Sequence, residues 1–152
     1  QLAKIAGFEI PADRQFIMVH GDGIGKEHHF SGEKLTTLLA LYRYQSFDQA
    51  LEMMRGVYEV GGKGHSCGIY SFDQSHIHAL AMAAPVSRIM VRQPQSKANA
   101  GAFNNGMPMT SSLGCGTWGG NIISENVHLK HYMNTTWVSG RIAASIASRS
   151  WP

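Results

Sequence analysis

Cysteine is scarce in this sequence, whose 152 residues contain only Cys67 and Cys115. Two cysteines are too few for the disulfide framework of a small secreted domain, so the cytoplasm is the expected compartment. There is no block of lysine and arginine, and the formal net charge is only +3, so nucleic acid is not expected as a partner. No apolar run reaches the length of a membrane span and no signal-peptide pattern opens the chain, so no membrane association is expected either.

What the chain does contain is a globular composition, with 43% hydrophobic and 15% charged residues. This composition and length favour one compact domain with a buried core. Most of the 17 glycines fall in three clusters, which are typical of tight turns or of backbone that approaches a ligand closely. Because Gln1 is not an initiator methionine and the first residues resemble the end of a helix, we expect the chain to come from within a longer protein.

Alternation between strand-like and helix-like segments predicts an α/β fold. Ser46 and Gln49 fit a capping box, and the apolar residues that follow recur at helical spacing until a pair of glycines. Short connections through helices favour parallel strands covered on both faces. The stretch 94–121 has no regular period and is predicted to be a long functional loop. The predicted strands are 14–21, 36–44, 65–71, 86–93 and 135–139, and the predicted helices are 46–62, 74–85 and 124–134.

The two cysteines pose the question of nucleophilic chemistry. The segment SSLGCGTWGGN (111–121) places Cys115 among four glycines, but it contains no base, which an acyl-transferring thiol would need. A glycine-rich turn holding a small buried cysteine is therefore the favoured interpretation. Cys67 lies two residues from His65, so both side chains would share one face of a strand. That pair could be nucleophile and base, or two metal ligands, but burial of Cys67 as a small apolar residue is favoured.

Eight histidines raise the question of a metal site. His128 and His131 have a usable spacing but no obvious third ligand, and His76 and His78 do not face each other on a helix. Because zinc needs three or four ligands, no metal is expected. The run GDGIGKEHHF (21–30) lacks the ending of a phosphate loop and is interpreted as a surface turn.

Three segments, taken in order, carry a family resemblance: SGEKLTTLLALYR, GGKGHSCGIYS and SLGCGTWGGNIISENVHLKHYMN. They resemble the aldehyde dehydrogenase superfamily, and more closely its coenzyme-A-acylating branch, which includes the aldehyde dehydrogenase half of bifunctional alcohol dehydrogenases. The similarity extends from about Ala6 to Val138. The run 90–121 is most similar to acylating sulfoacetaldehyde dehydrogenases, with succinate-semialdehyde enzymes close behind.

This resemblance implies a reaction and a set of site residues. Family members bind NAD or NADP in a Rossmann-like domain and oxidise an aldehyde through a thioester on a cysteine of a separate catalytic domain; coenzyme A then accepts the acyl group. Glu33 matches the family glutamate beside the nicotinamide ribose, and Leu35 matches an apolar neighbour near the nicotinamide ring. His65 matches a histidine of the acylating branch that is associated with the active site. The motif of the nucleophilic cysteine precedes the whole region present here, and neither cysteine of this chain matches it.

The resemblance also implies a domain division and an assembly. Residues 1–139 match the later part of an aldehyde dehydrogenase catalytic domain, whereas the tail, 140–152, does not match the family. In such enzymes the strand that 135–139 resembles packs across a subunit boundary, so a homo-oligomer is expected.

Three basic residues, Arg88, Arg92 and Lys97, bear on the substrate. Guanidinium groups suit a sulfonate or a carboxylate, so a small anionic aldehyde such as sulfoacetaldehyde is the hypothesis, with Arg92 as the substrate-binding residue. The equally open alternative is that these are ordinary charges at strand ends. Two other classes of function also remain open, a non-catalytic assembly module of the same fold and a small metal protein built on the histidines.

Overall fold

The computed structural model describes residues 1–141 and contains four short strands. In chain order these are β1 Ile17–His20, β2 Leu38–Leu41, β3 Cys67–Ile69 and β4 Ile89–Val91. Strand β1 pairs with β2 and β3 pairs with β4, both in parallel. The two pairs form separate two-stranded sheets within the described residues. Parallel pairing around helices confirms the predicted α/β class, although each strand is shorter than predicted.

Four α-helices accompany these strands, and local capping sets the limits of the longest one. They are α1 Leu2–Ile5, α2 Phe47–Gly61, α3 Gln74–Ala83 and α4 Gln95–Ala98. At the start of α2, Ser46 Oγ accepts a hydrogen bond from the Gln49 amide at 3.2 Å. The Gln49 side chain accepts from the amide of Gln45, one residue before the cap, so the predicted reciprocal box forms with that shift. The helix ends at Gly62, whose φ of +94° suits glycine alone.

Helix α3 begins at an aspartate cap that the sequence prediction did not name. The Asp73 carboxylate accepts hydrogen bonds from the Ser75 amide at 2.8 Å and from the Ser75 hydroxyl at 2.6 Å. These bonds favour the ionised form and lower the pKa of Asp73. The helix ends at Ala83, two residues before Pro85, because the residue before a proline is pushed out of the helical conformation.

The hydrophobic core lies where α2 and α3 pack on the β3–β4 pair. Four buried side chains define it: Leu51, Ile69, Leu80 and Ala84. They come from α2, β3 and the end of α3, so the two helices cover the sheet that β3 and β4 form. Burial of each large side chain contributes on the order of 2 kcal/mol. This core fixes the segment that leads from α2 into β3, which is where His65 lies.

The predicted helix over 124–134 is wrong, since only a single 3₁₀ turn, Leu129–Tyr132, forms there. The reason is a competing backbone ladder: Gly114 donates to the Glu125 carbonyl at 3.0 Å and Val127 donates to the Ser112 carbonyl at 3.0 Å. Those groups are therefore not free for helical hydrogen bonds.

The predicted terminal strand over 135–139 does not form within the described chain, because these residues make no ladder with any part of it; its pairing across a subunit boundary stays a prediction. A strand requires a partner for its backbone groups. Trp137 and Val138 are 91% and 96% exposed, so nothing covers their side chains here. Of the tail 140–152, residues 142–152 lie outside the described part. Among residues 1–141, every helix is too short or too polar to cross a bilayer.

Candidate active-site cleft

A cleft of about 530 Å³ opens between the turn that carries Glu33, strand β2, the end of α2 and the residues just before β3. Its polar lining comes from distant parts of the chain. The polar lining residues are Ser31, Glu33, Lys34, Tyr42, Tyr58, His65, Ser66 and Gln95. Two residues that the family resemblance assigns to an active site, Glu33 and His65, therefore line one cavity.

The turn that carries Glu33 is held by its neighbours. Ser31, only 3% exposed, accepts a hydrogen bond from the Gly25 amide at 3.1 Å. The Lys34 ammonium donates to the carbonyls of Phe30 and Gly32, each at 2.7 Å. Glu33 itself is exposed, and its carboxylate makes no ion pair with any side chain in residues 1–141. It is therefore available to accept hydrogen bonds from a ligand in the cleft.

Leu35 does not line this cleft. Its side chain is 92% exposed, although it lies only two residues beyond Glu33. A side chain so exposed has no contacts of its own to lose when an apolar ring packs against it.

His65 sits on a bend just before β3, not in the strand. Its Nδ1 lies 2.7 Å from Ser66 Oγ. Ser66 is 7% exposed, and its carbonyl accepts from the Tyr58 hydroxyl and from the Gln95 amide nitrogen, each at 3.0 Å. The imidazole is thus anchored on one edge by a buried, fully engaged residue, while the rest of the ring is exposed to the cleft.

His65 lies on a bend and lines the Glu33 cleft, whereas Cys67 lies in β3 and does not line that cleft. The two side chains therefore do not share the strand face that was predicted. Cys67 packs against the core cluster, and burial raises the pKa of its thiol. The nearby Tyr58 has its pKa raised as well, first by burial and then by Cys67. A thiol held in its neutral form is a poor nucleophile, which agrees with the interpretation of Cys67 as a small buried residue.

The glycines around Cys115 allow two backbone segments to touch. A Cβ on Gly64 would lie 2.6 Å from the Cys115 carbonyl oxygen and 2.8 Å from the Gly119 nitrogen. The Cys115 amide donates to Asn121 Oδ1 at 2.9 Å. Within residues 1–141, no histidine or carboxylate forms a hydrogen bond with the Cys115 thiol. The loop 114–121, here called the Cys115 loop, therefore packs directly against the segment just before His65.

The basic residues considered for substrate binding occupy three different settings. Arg88 is 5% exposed and donates to the Gly114 carbonyl at 2.6 Å, so it ties the Cys115 loop to β4 from within. Arg92 is exposed, adopts a φ of +52°, donates to the Ser71 carbonyl at 2.8 Å and lies over the Phe72 ring.

Because parallel strands run the same way, Arg92 at the end of β4 and His65 before β3 lie at opposite ends of this pair. They are separated by roughly 15 Å along the strands. The third basic residue, Lys97, is exposed on α4.

His128 and His131 do have a third potential ligand, which the sequence interpretation had lacked. One ligand atom each from Glu125, His128 and His131 lie within 4.8 Å of one another. These groups already satisfy one another, however: His131 Nδ1 accepts from the His128 amide at 2.9 Å, and Glu125 pairs with Lys130 at 2.6 Å. The Lys130 ammonium is also the main reason why the pKa of Glu125 is lowered. Hydrogen bonding accounts for this cluster, and we assign no metal to it.

Comparison with known proteins places this geometry in a class. An acetylating aldehyde dehydrogenase structure from Geobacillus thermoglucosidasius superposes with a TM-score of 0.83 at 34% identity, over 93% of this chain and 32% of that one. A structure described as a probable aldehyde dehydrogenase, from Listeria monocytogenes, gives 0.82 at 30% identity, over 96% of this chain and 32% of that one. The fold of residues 1–141 is therefore that of a segment of aldehyde dehydrogenases.

Sequence relatives narrow the class to its acylating branch. A sulfoacetaldehyde dehydrogenase of Acholeplasma is 42% identical over 91% of this chain and 28% of its own length. An acetylating succinate-semialdehyde dehydrogenase of Clostridium kluyveri is 36% identical over 89% of this chain and 30% of its own length. No protein-family model matches the chain. The resemblance is confirmed: this chain is a homologue of acylating aldehyde dehydrogenases and spans about 30% of their length.

The polar network beneath His65 was not predicted from the sequence. Ser66 Oγ also accepts from the side-chain amides of Gln95 at 2.9 Å and Asn99 at 3.4 Å. These residues are about thirty positions apart in the sequence, and no local pattern links them. Only the proximity of α4 to the start of β3 reveals that they act together.

Proposed function

We propose that residues 1–139 are the later part of the catalytic domain of a coenzyme-A-acylating aldehyde dehydrogenase. The enzyme would convert a small aldehyde and coenzyme A to an acyl-CoA, with NAD or NADP as the hydride acceptor. One observation carries this proposal: Glu33 and His65, which come from two separate family motifs, line the same cleft.

The residues of this cleft suit the nicotinamide end of a dinucleotide. The unpaired Glu33 carboxylate would accept hydrogen bonds from ribose hydroxyls, and the exposed Leu35 side chain would lie against an apolar ring face. NAD or NADP would supply the hydride acceptor. Glu33 would orient that group, and His65 would lie on the same cleft as a polar group available to a bound coenzyme.

The nucleophilic cysteine is proposed to lie in polypeptide that precedes the matched region. Cys67 is partly buried against the core, and the Cys115 thiol has no base among its hydrogen-bond partners in residues 1–141. The exposed segment around Trp137 is proposed to pack against a second subunit in a homo-oligomer, since its apolar side chains, Trp137 and Val138, are uncovered.

A chimera tests the proposed function directly. The matched residues of this chain replace the corresponding segment of the Acholeplasma sulfoacetaldehyde dehydrogenase, and reduction of NAD or NADP is followed with aldehyde and coenzyme A. We expect turnover that depends on coenzyme A, and a loss of about tenfold or more in kcat/KM for Glu33→Gln. Glu52→Gln, an exposed residue of α2 outside the cleft, is the matched control and should keep full activity.

Two results would contradict the proposal. A folded chimera without turnover would favour the alternative of a non-catalytic assembly module. Equal activity of the Glu33→Gln and Glu52→Gln variants would remove Glu33 from the site.

The substrate is proposed to be a small anionic aldehyde of the sulfoacetaldehyde type. Its support is that the Acholeplasma relative bears that name and that Arg92 is exposed with donors to spare. A two-carbon aldehyde is shorter than the separation between Arg92 and His65. If Arg92 holds the anionic group, His65 therefore serves the coenzyme side of the reaction.

Substrate profiling of the chimera checks this assignment. We expect kcat/KM for sulfoacetaldehyde to exceed that for acetaldehyde, and Arg92→Met to reduce this ratio about tenfold, as loss of a charge-assisted hydrogen bond predicts. Arg43→Met, at another exposed arginine, should leave the ratio unchanged. Equal efficiency on the two aldehydes, unaffected by Arg92→Met, would refute the role of Arg92.

A further inference from the structure

The hydrogen bonds around Ser66 have a direction that can be worked out from donor and acceptor capacity. The Gln95 side-chain atom that lies 3.0 Å from the Ser66 carbonyl must be the amide nitrogen, because a carbonyl oxygen only accepts. The same nitrogen lies 2.9 Å from Ser66 Oγ. Its two hydrogens therefore serve the two oxygens of Ser66.

The Ser66 hydroxyl has two lone pairs and one hydrogen. Gln95 occupies one lone pair, and the Asn99 amide, 3.4 Å away, occupies the other. The hydroxyl hydrogen is then left for the remaining neighbour, His65 Nδ1 at 2.7 Å. With the Asn99 amide nitrogen facing Ser66 Oγ, Nδ1 of His65 is the acceptor in this bond.

This direction fixes the tautomer of His65. A neutral imidazole whose Nδ1 accepts carries its hydrogen on Nε2. Nε2 is on the edge of the ring away from Ser66, and His65 lines the cleft shared with Glu33. The cleft therefore receives a hydrogen-bond donor from His65 and not a lone pair.

We propose that Ser66, supported by Gln95 and Asn99, is a positioning residue that fixes His65 as a hydrogen-bond donor into the Glu33 cleft. On the proposed function, on which this assignment of a role rests, the Nε2 hydrogen bonds to a carbonyl or anionic oxygen of substrate or coenzyme. His65 does not take the thiol proton of coenzyme A, because that step needs a lone pair on Nε2.

The tautomer can be read without any assay of activity. In the chimera labelled with ¹⁵N, the His65 ring signals are identified by their loss in His65→Gln. At a pH where the imidazole is neutral, we expect Nδ1 to appear unprotonated and Nε2 protonated. Ser66→Ala should shift the Nδ1 signal towards that of a free imidazole, and Ser66→Thr, which keeps a hydroxyl, should restore it.

The sharper test is to reverse the direction of the hydrogen bond between Ser66 and His65. In Gln95→Glu, a carboxylate accepts the Ser66 hydroxyl hydrogen, so Ser66 Oγ must accept from His65 and the ring proton should move to Nδ1. A protonated Nδ1 in the unmodified chimera, or identical His65 spectra in the unmodified chimera and Ser66→Ala, would overturn the proposal. If Gln95→Glu fails to fold, the comparison of Ser66→Ala with Ser66→Thr still tests the proposal.

Kinetics in the chimera separate this proposal from the proposed function. We expect Ser66→Ala to lower kcat about tenfold with little change in KM, and Ser66→Thr to recover most of that loss. An inactive chimera with the expected His65 spectrum would reject the enzyme function alone. An active chimera in which Nδ1 is protonated would reject only the proposal that Ser66 fixes His65 as a hydrogen-bond donor.

Discussion

Replacement of Gly64 by alanine is expected to destabilise the start of β3 by about 3 kcal/mol. Gly64 has a φ of +106°, and a Cβ there would lie 2.6 Å from the Cys115 carbonyl oxygen and 2.8 Å from the Gly119 nitrogen. Both neighbours are backbone atoms, which cannot rotate away as a side chain can. The substitution therefore combines backbone strain with a steric overlap that only movement of a loop can relieve.

The measurement is hydrogen exchange at the Ser87 amide, which donates to the Gly64 carbonyl at 2.9 Å. About 3 kcal/mol corresponds to roughly a hundredfold faster exchange. Gly62→Ala is the matched control, since Gly62 has a φ of +94° but no atom within 4 Å of a new Cβ. It should cost about 1 kcal/mol. Equal effects at the two positions would show that the contact with Cys115 does not matter.

The parts of the fold that were predicted correctly are those with local causes. Helix α2 is bounded by Ser46, whose hydroxyl caps the first turn, and by Gly62, whose positive φ ends the last one. Both signals lie within a few residues of the structure they determine. The parallel α/β class follows from the order of such segments, because a short helical crossover returns the chain in the same direction.

The parts that were predicted wrongly depend on residues far apart in the chain. The run 124–134 has apolar residues at a helical spacing, yet its backbone pairs with residues around Leu113, which lies opposite Asn126. No pattern within the run reveals that competitor. The segment 135–139 is a separate case: it has the composition of a strand, but a strand also needs a partner, and none exists in the described chain, so its pairing with a second subunit stays a prediction.

The same distinction between local and long-range causes applies to the candidate site. Glu33 and His65 were proposed because each sits in a recognisable motif, but that they share a cleft is visible only in the folded chain. Ser66 lies beside His65 in the segment GGKGHSCGIYS, but no role was predicted for it from the sequence. Its importance comes from Gln95 and Asn99, which α4 brings to it from within the loop predicted to be irregular.

Arg88 offers the second large effect, because it is a buried cation that holds a loop and has no acidic partner among residues 1–141. The Gly114 carbonyl and the Asn126 side-chain oxygen accept from its guanidinium at 2.6 and 3.4 Å. Asn126 is itself 3% exposed, and its side-chain nitrogen donates to the carbonyls of Asn99 and Pro108. The network therefore extends from Arg88 to those two segments. Arg88→Met would leave two buried acceptors without donors and should destabilise the protein by about 3 kcal/mol.

Urea unfolding of the chimera and hydrogen exchange at the Gly114 amide measure this loss. Arg92→Met is the matched control: it makes the same change at an exposed arginine at the other end of β4, where one hydrogen bond to the Ser71 carbonyl and a ring contact are lost. It should cost less than about 1 kcal/mol. If the two variants were equally stable, the Arg88 network would not be what holds the Cys115 loop. If only Arg88→Met opens that loop, the two arginines have separate tasks: Arg88 supports the wall behind His65, and Arg92 alone keeps donors that a substrate can reach.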